Sequence, residues 1–493
     1  MNTRFESLER RALLSATFTF DKGVLTIQGT PGNENLYVSI GAGSMLHVIE
    51  SGKSVASHPV AKVKRLVFIG GDGNDNFTMN GSLGPVNVSL VGGNGDDRMS
   101  GGAGNDTING GAGRDWLNGF DGNDRITGGD DGDICSGDKG NDTIDAGNGD
   151  DLCTGGEGND LIDGGFGRDT FRGGAGIDTA SYAMRTNPVF VDINGMPGEP
   201  YDDGEKNEGD FVQIDVENLI GGSGDDVLTG TQAPADAPKT TLGFTDKNLI
   251  IGNGGNDTLQ GMSGNDTLDG GLGKDILAGH DGVDVADYSN RTEPLVLDLD
   301  GDADDGARGE NDRIWVDVEA IKGGQGNDRI NGNEISNGIK GGGGNDTIDG
   351  GLGDDYISGG DGSDTAYYGH RRENLRITLG DGQYNDGAIG EEDKLESDIE
   401  NVTGGYGNDV IIGDGKSNIL RGGPGNDEIR GGAGNDVIWG DDGRDKLYGD
   451  AGNDTFYARS TVAANDIVNG GAGTDRAQVD VLDTKSSIES LLK

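Results

Sequence analysis

One nine-residue phrase constrains this chain more than anything else in it: G-G-x-G-x-D-x-U-x, with U apolar, runs without a break from Gly92 to Ser181 and returns in clusters as far as Gln478. A single copy would carry little weight. About 26 phase-locked units that keep the Asp, spread over roughly half of the sequence, demand an architecture in which every unit is built alike and rests on its neighbours. Side chains alternate across a strand, so the apolar residue of x-U-x points to one side and its two neighbours to the other. No helix produces that spacing.

Of 493 residues only 31 % are hydrophobic, 98 are Gly, and the formal net charge is -50 at pH 7. Composition alone describes a disordered chain. The period overrides it, because a stacked repeat buries one apolar side chain per unit and a bound cation supplies what a thin core cannot. The acidity therefore reads as a cation requirement. It argues against nucleic acid or an anionic membrane surface as partner, since a polyanion would be repelled and no Lys/Arg-rich stripe exists to hold it. No run of about 18 apolar residues occurs, so no transmembrane helix is expected.

The array resembles the RTX (repeats-in-toxin), or hemolysin-type, calcium-binding repeat. That resemblance implies an all-β fold, a right-handed parallel β-roll solenoid in which two nonapeptides make one 18-residue turn, G-G-x-G-x-D forming the loop and x-U-x a short strand. Taking every second unit then puts Ile108, Ile126, Ile144, Ile162 and Ala180 on one inner wall, and Met99, Leu117, Cys135, Cys153 and Phe171 on the facing one. The resemblance also implies ions between loops of successive turns, held by Asp carboxylates and loop carbonyls. Carried onto this chain, the metal ligands are Asp75, Asp97, Asp106, Asp115, Asp124, Asp133, Asp142, Asp151, Asp160, Asp169 and Asp178 in and before the long array, then Asp226, Asp257, Asp266, Asp275, Asp284, Asp328, Asp346, Asp355, Asp364, Asp409, Asp427, Asp436, Asp445, Asp454 and Asp475.

Physical chemistry supports calcium (Ca2+) for such loops. Glycines at positions 1, 2 and 4 permit positive φ and turn carbonyl oxygens toward a common point, and the position-6 Asp adds a charged oxygen. Calcium takes six to eight hard oxygens at about 2.3 to 2.6 Å with relaxed geometry, whereas magnesium demands a strict octahedron. Asn105, Asn123, Asn141 and Asn159 at position 5 fit turn residues and need not be ligands. Some units depart from the pattern and should be weaker: Asn248, Asn337 and Asn418 replace the Asp in units starting at Gly243, Gly332 and Gly413, Asp131 replaces a position-4 Gly, and Ala146 a first Gly.

Around the array, residues 1–16 hold the phrase Leu8-Glu9-Arg10-Arg11-Ala12-Leu13-Leu14-Ser15-Ala16, which looks like the L-E-x-R-x-L-L-S-A tag of large bacterial surface and secreted repeat proteins; a short disordered arm is the alternative. Residues 17–69 alternate like strands and form a β-rich N-terminal cap, with Gly29 to Tyr37 a faint nonapeptide carrying Glu in place of Asp. The first calcium-binding roll covers 70–181. Three related segments then begin at Asp178, Asp284 and Asp364, pass through Tyr182, Tyr288 and Tyr368, form an alternating strand and an Asp-Gly turn, and close on Asp215-Val216-Glu217, Asp317-Val318-Glu319 and Asp398-Ile399-Glu400. They read as strand-hairpin insertions, wrapped around the solenoid or extending it, and with their repeats they make modules over 182–287, 288–367 and 368–457. Residues 458–493 hold the last repeat and a C-terminal cap, with an export signal as the sharper alternative for the tail.

The remaining motifs single out no catalytic group. None of the four His belongs to an H-E-x-x-H pair, and no G-x-S-x-G elbow or P-loop lysine is present. Cys135 and Cys153 stack on adjacent turns, as two buried hydrophobes or as a disulfide. Trp439, Tyr448 and Tyr457 share position 9, as a sugar-stacking platform or as a surface covered by the C-terminal cap. The expectation is a secreted or cell-surface, non-enzymatic protein that binds calcium ions, folds on them and acts as a structural or adhesive scaffold, with a cell-surface or extracellular-matrix polymer as candidate partner. The alternative is the export and folding module of an extracellular carbohydrate- or protein-acting enzyme.

Overall fold

The computed structural model describes residues 16–41, 43–79, 86–193, 203–232, 247–459 and 464–492, so the tag-like phrase, apart from Ala16, lies outside the described residues. Apart from one 3-10 turn, Val60–Lys62, the regular elements among the described residues are strands. They belong to two compact units, Met1–Asp266 and Thr267–Lys493.

The first unit is a stack of parallel coils. Strands arrive every nine residues and alternate between two sheets, so each pairs in parallel with the strand 18 residues away. Ile108 pairs with Ile126, Ile126 with Ile144, Ile144 with Ile162 and Ile162 with Ala180. On the facing sheet Met99 pairs with Leu117, Leu117 with Cys135, Cys135 with Cys153 and Cys153 with Phe171. All ten side chains are at most 1 % exposed, so the two expected walls are the interior. Full burial of each Ile stabilises the stack by roughly 1.5–3 kcal/mol. Strands here are longer than x-U-x: Arg98–Ala103 and Arg125–Asp130 run on through the first two glycines of the next unit before the loop bends away.

The N-terminal cap is a coil with its edges folded over. Val24–Gln28 pairs in parallel with Arg65–Asp72, and Asn35–Gly41 with Asn76–Met79, continuing the two walls toward the chain start. Antiparallel strands then flank them, Thr17–Asp21 on the first and Met45–Glu50 followed by Lys53–Pro59 on the second. An open parallel edge would otherwise recruit another chain.

The insertions extend the solenoid. In the first unit Val189–Asp192 founds a new column, which Val227–Thr229 and Thr258–Gly264 continue, while Phe211–Val212 settles on Thr170 and Phe171 of the old one. Between them Gly204–Glu205 returns antiparallel on Val189–Phe190. Val189, Val191 and Ile193 point inward and Phe190 outward, the alternation expected of a half-buried strand.

The second unit repeats this scheme twice. Leu295–Asp298 pairs antiparallel with Gly306–Ala307 and parallel with Arg329–Asn331; Leu375–Thr378 does the same with Gly387–Ala388 and Val410–Ile412. Its later columns are unbroken: Val402, Leu420, Ile438, Phe456 and Ala477 stack in one, Ile377, Ile411, Ile429, Leu447 and Val468 in the other. The tail closes both, Thr484–Ser486 pairing with Ile467–Asn469 and Ser490–Leu491 with Arg476–Ala477.

Cys135 and Cys153 lie side by side as free, buried thiols, and burial lifts both well above the ordinary thiol range. A protonated, inaccessible thiol is a poor nucleophile. Alkylation of both should therefore be slow in the native protein and fast once the coils open; rapid labelling of both under native conditions would mean that position 8 does not face the interior.

Candidate metal centre

The repeat loop is organised by one hydrogen bond. The backbone N–H of each position-6 Asp donates to Oδ1 of the Asp one turn further on: Asp97 to Asp115, Asp115 to Asp133, Asp133 to Asp151 and Asp151 to Asp169 along one edge, at 2.6 to 2.9 Å. Along the other edge Asp106 donates to Asp124, Asp124 to Asp142, Asp142 to Asp160 and Asp160 to Asp178, at 2.7 to 2.8 Å. In the second unit the same bond joins Asp328 to Asp346, Asp346 to Asp364, Asp409 to Asp427, Asp427 to Asp445, Asp436 to Asp454 and Asp454 to Asp475. Asp75, Asp257, Asp266 and Asp355 accept it from Glu34, Asp226, Asn248 and Asn337, and Asp275 and Asp284 pass it on to Asp312 and Glu319. All 26 aspartates expected from the sequence are at most 3 % exposed. They are interior residues, not solvated turn residues.

The second carboxylate oxygen is the one that matters chemically. Oδ2 is buried and has no hydrogen-bond partner in Asp75, Asp97, Asp106, Asp115, Asp124, Asp133, Asp142, Asp151, Asp160, Asp169, Asp178, Asp346, Asp355, Asp364, Asp427, Asp436, Asp445, Asp454 and Asp475. A Cβ built on Gly92 would sit 2.0 Å from Asp97 Oδ2 and 2.5 Å from the Gly110 carbonyl oxygen of the next turn. A bare carboxylate oxygen and a carbonyl oxygen thus converge where the first glycine leaves room. At position 2 the backbone is left-handed even without glycine: Gly93 has φ 120°, and Phe120, Asp138, His280, Asp441 and Asp450 are held at φ 63° to 74°. A buried anion with no donor is costly unless it is protonated or meets a cation, and hard oxygens from carboxylate and carbonyl suit calcium. The residues present fit the ion.

Three expected ligands behave differently. Oδ2 of Asp226, Asp328 and Asp409 accepts the N–H of Gly222, Gly324 and Gly405 in its own loop, at 2.7 to 2.8 Å. These are the first repeats after each insertion. In the second units after each insertion stand the departures: Oδ1 of Asn248, Asn337 and Asn418 accepts the N–H of Thr231, Asn333 and Asp414, and Nδ2 donates to a backbone carbonyl of Glu217, Glu319 and Glu400. An amide closes both ends of a gap that a carboxylate leaves open at one.

Several ladder members are not position-6 Asp of a regular unit. Glu217, Glu319 and Glu400 accept the N–H of Asp178, Asp284 and Asp364 through Oε2, which gives the thrice-repeated D-V/I-E triad its role. Asp466 accepts from Asp445, and the tail supplies Asp483 and Glu489 for Asp466 and Asp475. Glu34, 1 % exposed with Oε2 lacking a partner, stands in the cap where the faint nonapeptide puts it. For the triad the signal was recurrence; for Asp466, an N-D-I-V-N phrase stripped of its glycines. Asn105, Asn123 and Asn141 form an exposed ladder, each Oδ1 accepting the next Asn N–H at 2.9 to 3.1 Å, as turn residues do. Trp439 and Tyr457 stack with ring centroids 4.8 Å apart and 8° between planes, and Arg430 lies 4.3 Å over Tyr448. Trp439 and Tyr457 thus give one ring face each to the other, and Tyr448 gives one to Arg430.

Burial raises these carboxyls from an ordinary 3.8: Asp97, Asp124 and Asp151 to about 6, Asp142 to about 7, Asp133 to about 8 and Asp169 to about 9. Between 3.8 and those values the folded state holds more protons than the unfolded chain, so the ion-free fold loses stability as pH rises through them. In chelator, β content and thermal stability should increase as pH falls from about 8 to about 5, and a cation added near pH 7 should release protons. Stability in chelator that rises with pH over this window would contradict the orphaned-oxygen geometry.

The family described as the RTX calcium-binding nonapeptide repeat matches residues 91–180 in overlapping segments, and again 215–232, 251–286, 318–334, 337–366, 403–456 and 463–477, together more than half of the chain. No individual curated protein matches it. With its parallel coils, its aspartate ladders and this match, the chain belongs to the family of RTX calcium-binding nonapeptide repeat proteins.

Proposed function

We propose that the chain is a non-enzymatic calcium-dependent scaffold that works outside the cell or on its surface, where it presents acidic, repeat-built faces to a structural or adhesive partner such as a cell-surface or matrix polymer. The observation that carries the calcium part is the row of buried Oδ2 atoms without donors, repeated at every turn of the uninterrupted array. A chain with net charge -50 gains compactness only when cations offset its self-repulsion. The extracellular setting follows from concentration: loop sites built from one carboxylate and several carbonyls are the kind that fill at about 10⁻⁴ to 10⁻³ M calcium and stay empty in cytosol. No helix among the described residues is long and apolar enough to cross a membrane. Stacked coils make up both compact units, an arrangement that suits display along a surface.

Circular dichroism with calorimetric calcium titration tests the reading. The chelated chain should lose most of its β signal near pH 7.5 and regain it cooperatively with millimolar calcium; unchanged β content and melting temperature in chelator would end the proposal. Asp142→Asn, in the interior of an array, should move the calcium midpoint upward by roughly two- to tenfold. Asn418→Asp sets a carboxylate against the Glu400 carbonyl that Nδ2 now serves at 2.9 Å, so it should destabilise the chelated protein and create a new calcium demand. Equal midpoints for all three proteins would count against the ligand assignment. Limited proteolysis in calcium should leave no repeat-free core; a stable one would favour the enzyme alternative.

A further inference from the structure

The three insertions carry a second set of buried charges that the calcium reading does not use. Arg185, Arg291 and Arg371 are 4 to 7 % exposed. Each backbone N–H is tied to the carbonyl of the tyrosine three residues earlier, Tyr182, Tyr288 or Tyr368, at 2.8 to 2.9 Å. Arg185 Nη2 donates to Glu208 at 3.1 Å, Arg291 Nη2 to Glu310 at 2.7 Å and Arg371 Nη2 to Glu391 at 2.6 Å. In the second unit Nη1 also donates to a loop carbonyl, Gly271 for Arg291 and Gly351 for Arg371. These glycines occupy position 2 of the repeats that contain Asp275 and Asp355. Glu208 and Glu310 in turn accept the position-4 N–H of Gly167 and Gly273 at 3.1 Å. The ladder Asp at this level, Asp210, Asp312 or Asp393, accepts an N–H through Oδ1 like any other, but its Oδ2 accepts the hydroxyl of Tyr182, Tyr288 or Tyr368 at 3.1 Å.

We propose that each arginine is a resident cation and each tyrosine a resident proton donor, which together take calcium's place at one loop edge of every insertion, so that the three insertions are calcium-independent staples between calcium-dependent arrays. The inference rests on the calcium reading above. The guanidiniums of Arg291 and Arg371, bonded to a loop carbonyl and a carboxylate, and that of Arg185, bonded to Glu208, supply the positive charge a divalent ion would, and that charge repels a second cation from the same place. The carboxylate that would be left bare elsewhere has a hydroxyl on it. Asp226, Asp328 and Asp409, which begin the repeats behind each staple, extend the effect because their own loop N–H groups close Oδ2.

Hydrogen exchange read by mass spectrometry on the full chain, in chelator and in millimolar calcium, tests this. In chelator, peptides from 182–193, 203–220, 288–322 and 368–403 should exchange at least tenfold more slowly than peptides from 92–163, while in calcium both classes are protected. Arg291→Gln should keep its protection in calcium and lose it over 288–322 in chelator, with 368–403 unaffected. Equal loss of protection in insertions and repeats when calcium is removed overturns the proposal from the wild-type chain alone, whatever the variant does. Protection of 288–322 in chelator that survives Arg291→Gln also overturns it. Repeats that stay protected in chelator would defeat the calcium reading, and the staples with it.

Discussion

Everything in this molecule leans on a peptide N–H donating to Oδ1 of an aspartate one turn away. That bond fixes the vertical spacing of the coils at their corners, where strand pairing has ended and the chain must turn. Along the uninterrupted array it also orients the carboxylate so that its other oxygen is buried and away from donors. Asn248, Asn337 and Asn418 give the contrast: their backbone N–H groups donate to the next Asp like the others, but each side chain accepts an N–H through Oδ1 and donates to a backbone carbonyl through Nδ2. Aspartate along the uninterrupted array instead leaves its buried Oδ2 without a donor, and that oxygen is the one on offer to a cation.

The glycines follow from the same corner. The first must vacate the volume where Oδ2 and the next turn's carbonyl meet; the second adopts a left-handed backbone that Phe120, Asp138 and His280 tolerate only because the turns above and below hold them there. Stability and ligand binding are consequently hard to separate. A thin interior with one apolar residue per nine offers little against the backbone entropy of so much loop, which is the physical ground for the proposal that the ions belong to the fold.

The period, the two walls and the position of every ladder aspartate in the array were legible because a strict repeat lets one unit speak for all. Ile108 to Ala180 and Met99 to Phe171 could be assigned to facing walls once the family resemblance supplied an 18-residue turn. What escaped depended on contacts between residues far apart in sequence and unlike in type. Glu217 completes the ladder of Asp178 from 39 positions away with a different side chain. Asp226, Asp328 and Asp409 read as ordinary ligands, and only the geometry behind the insertions shows their second oxygen already taken by a backbone N–H. The stacking of Trp439 on Tyr457, by contrast, follows from their shared position 9 two units apart.

The uneven wall of the first array has a further consequence. Isoleucine stacks on isoleucine along Ile108, Ile126, Ile144 and Ile162, so sliding that sheet by one full turn would leave its interior nearly unchanged. The opposite wall forbids the slide: moving Met99, Leu117, Cys135, Cys153 and Phe171 along by a turn would bring the largest side chain into the space of a thiol and leave a void at the far end. A chain of near-identical corners thus carries its own vernier, one smooth scale and one irregular scale, and the mismatch between them tells each coil which rung it occupies.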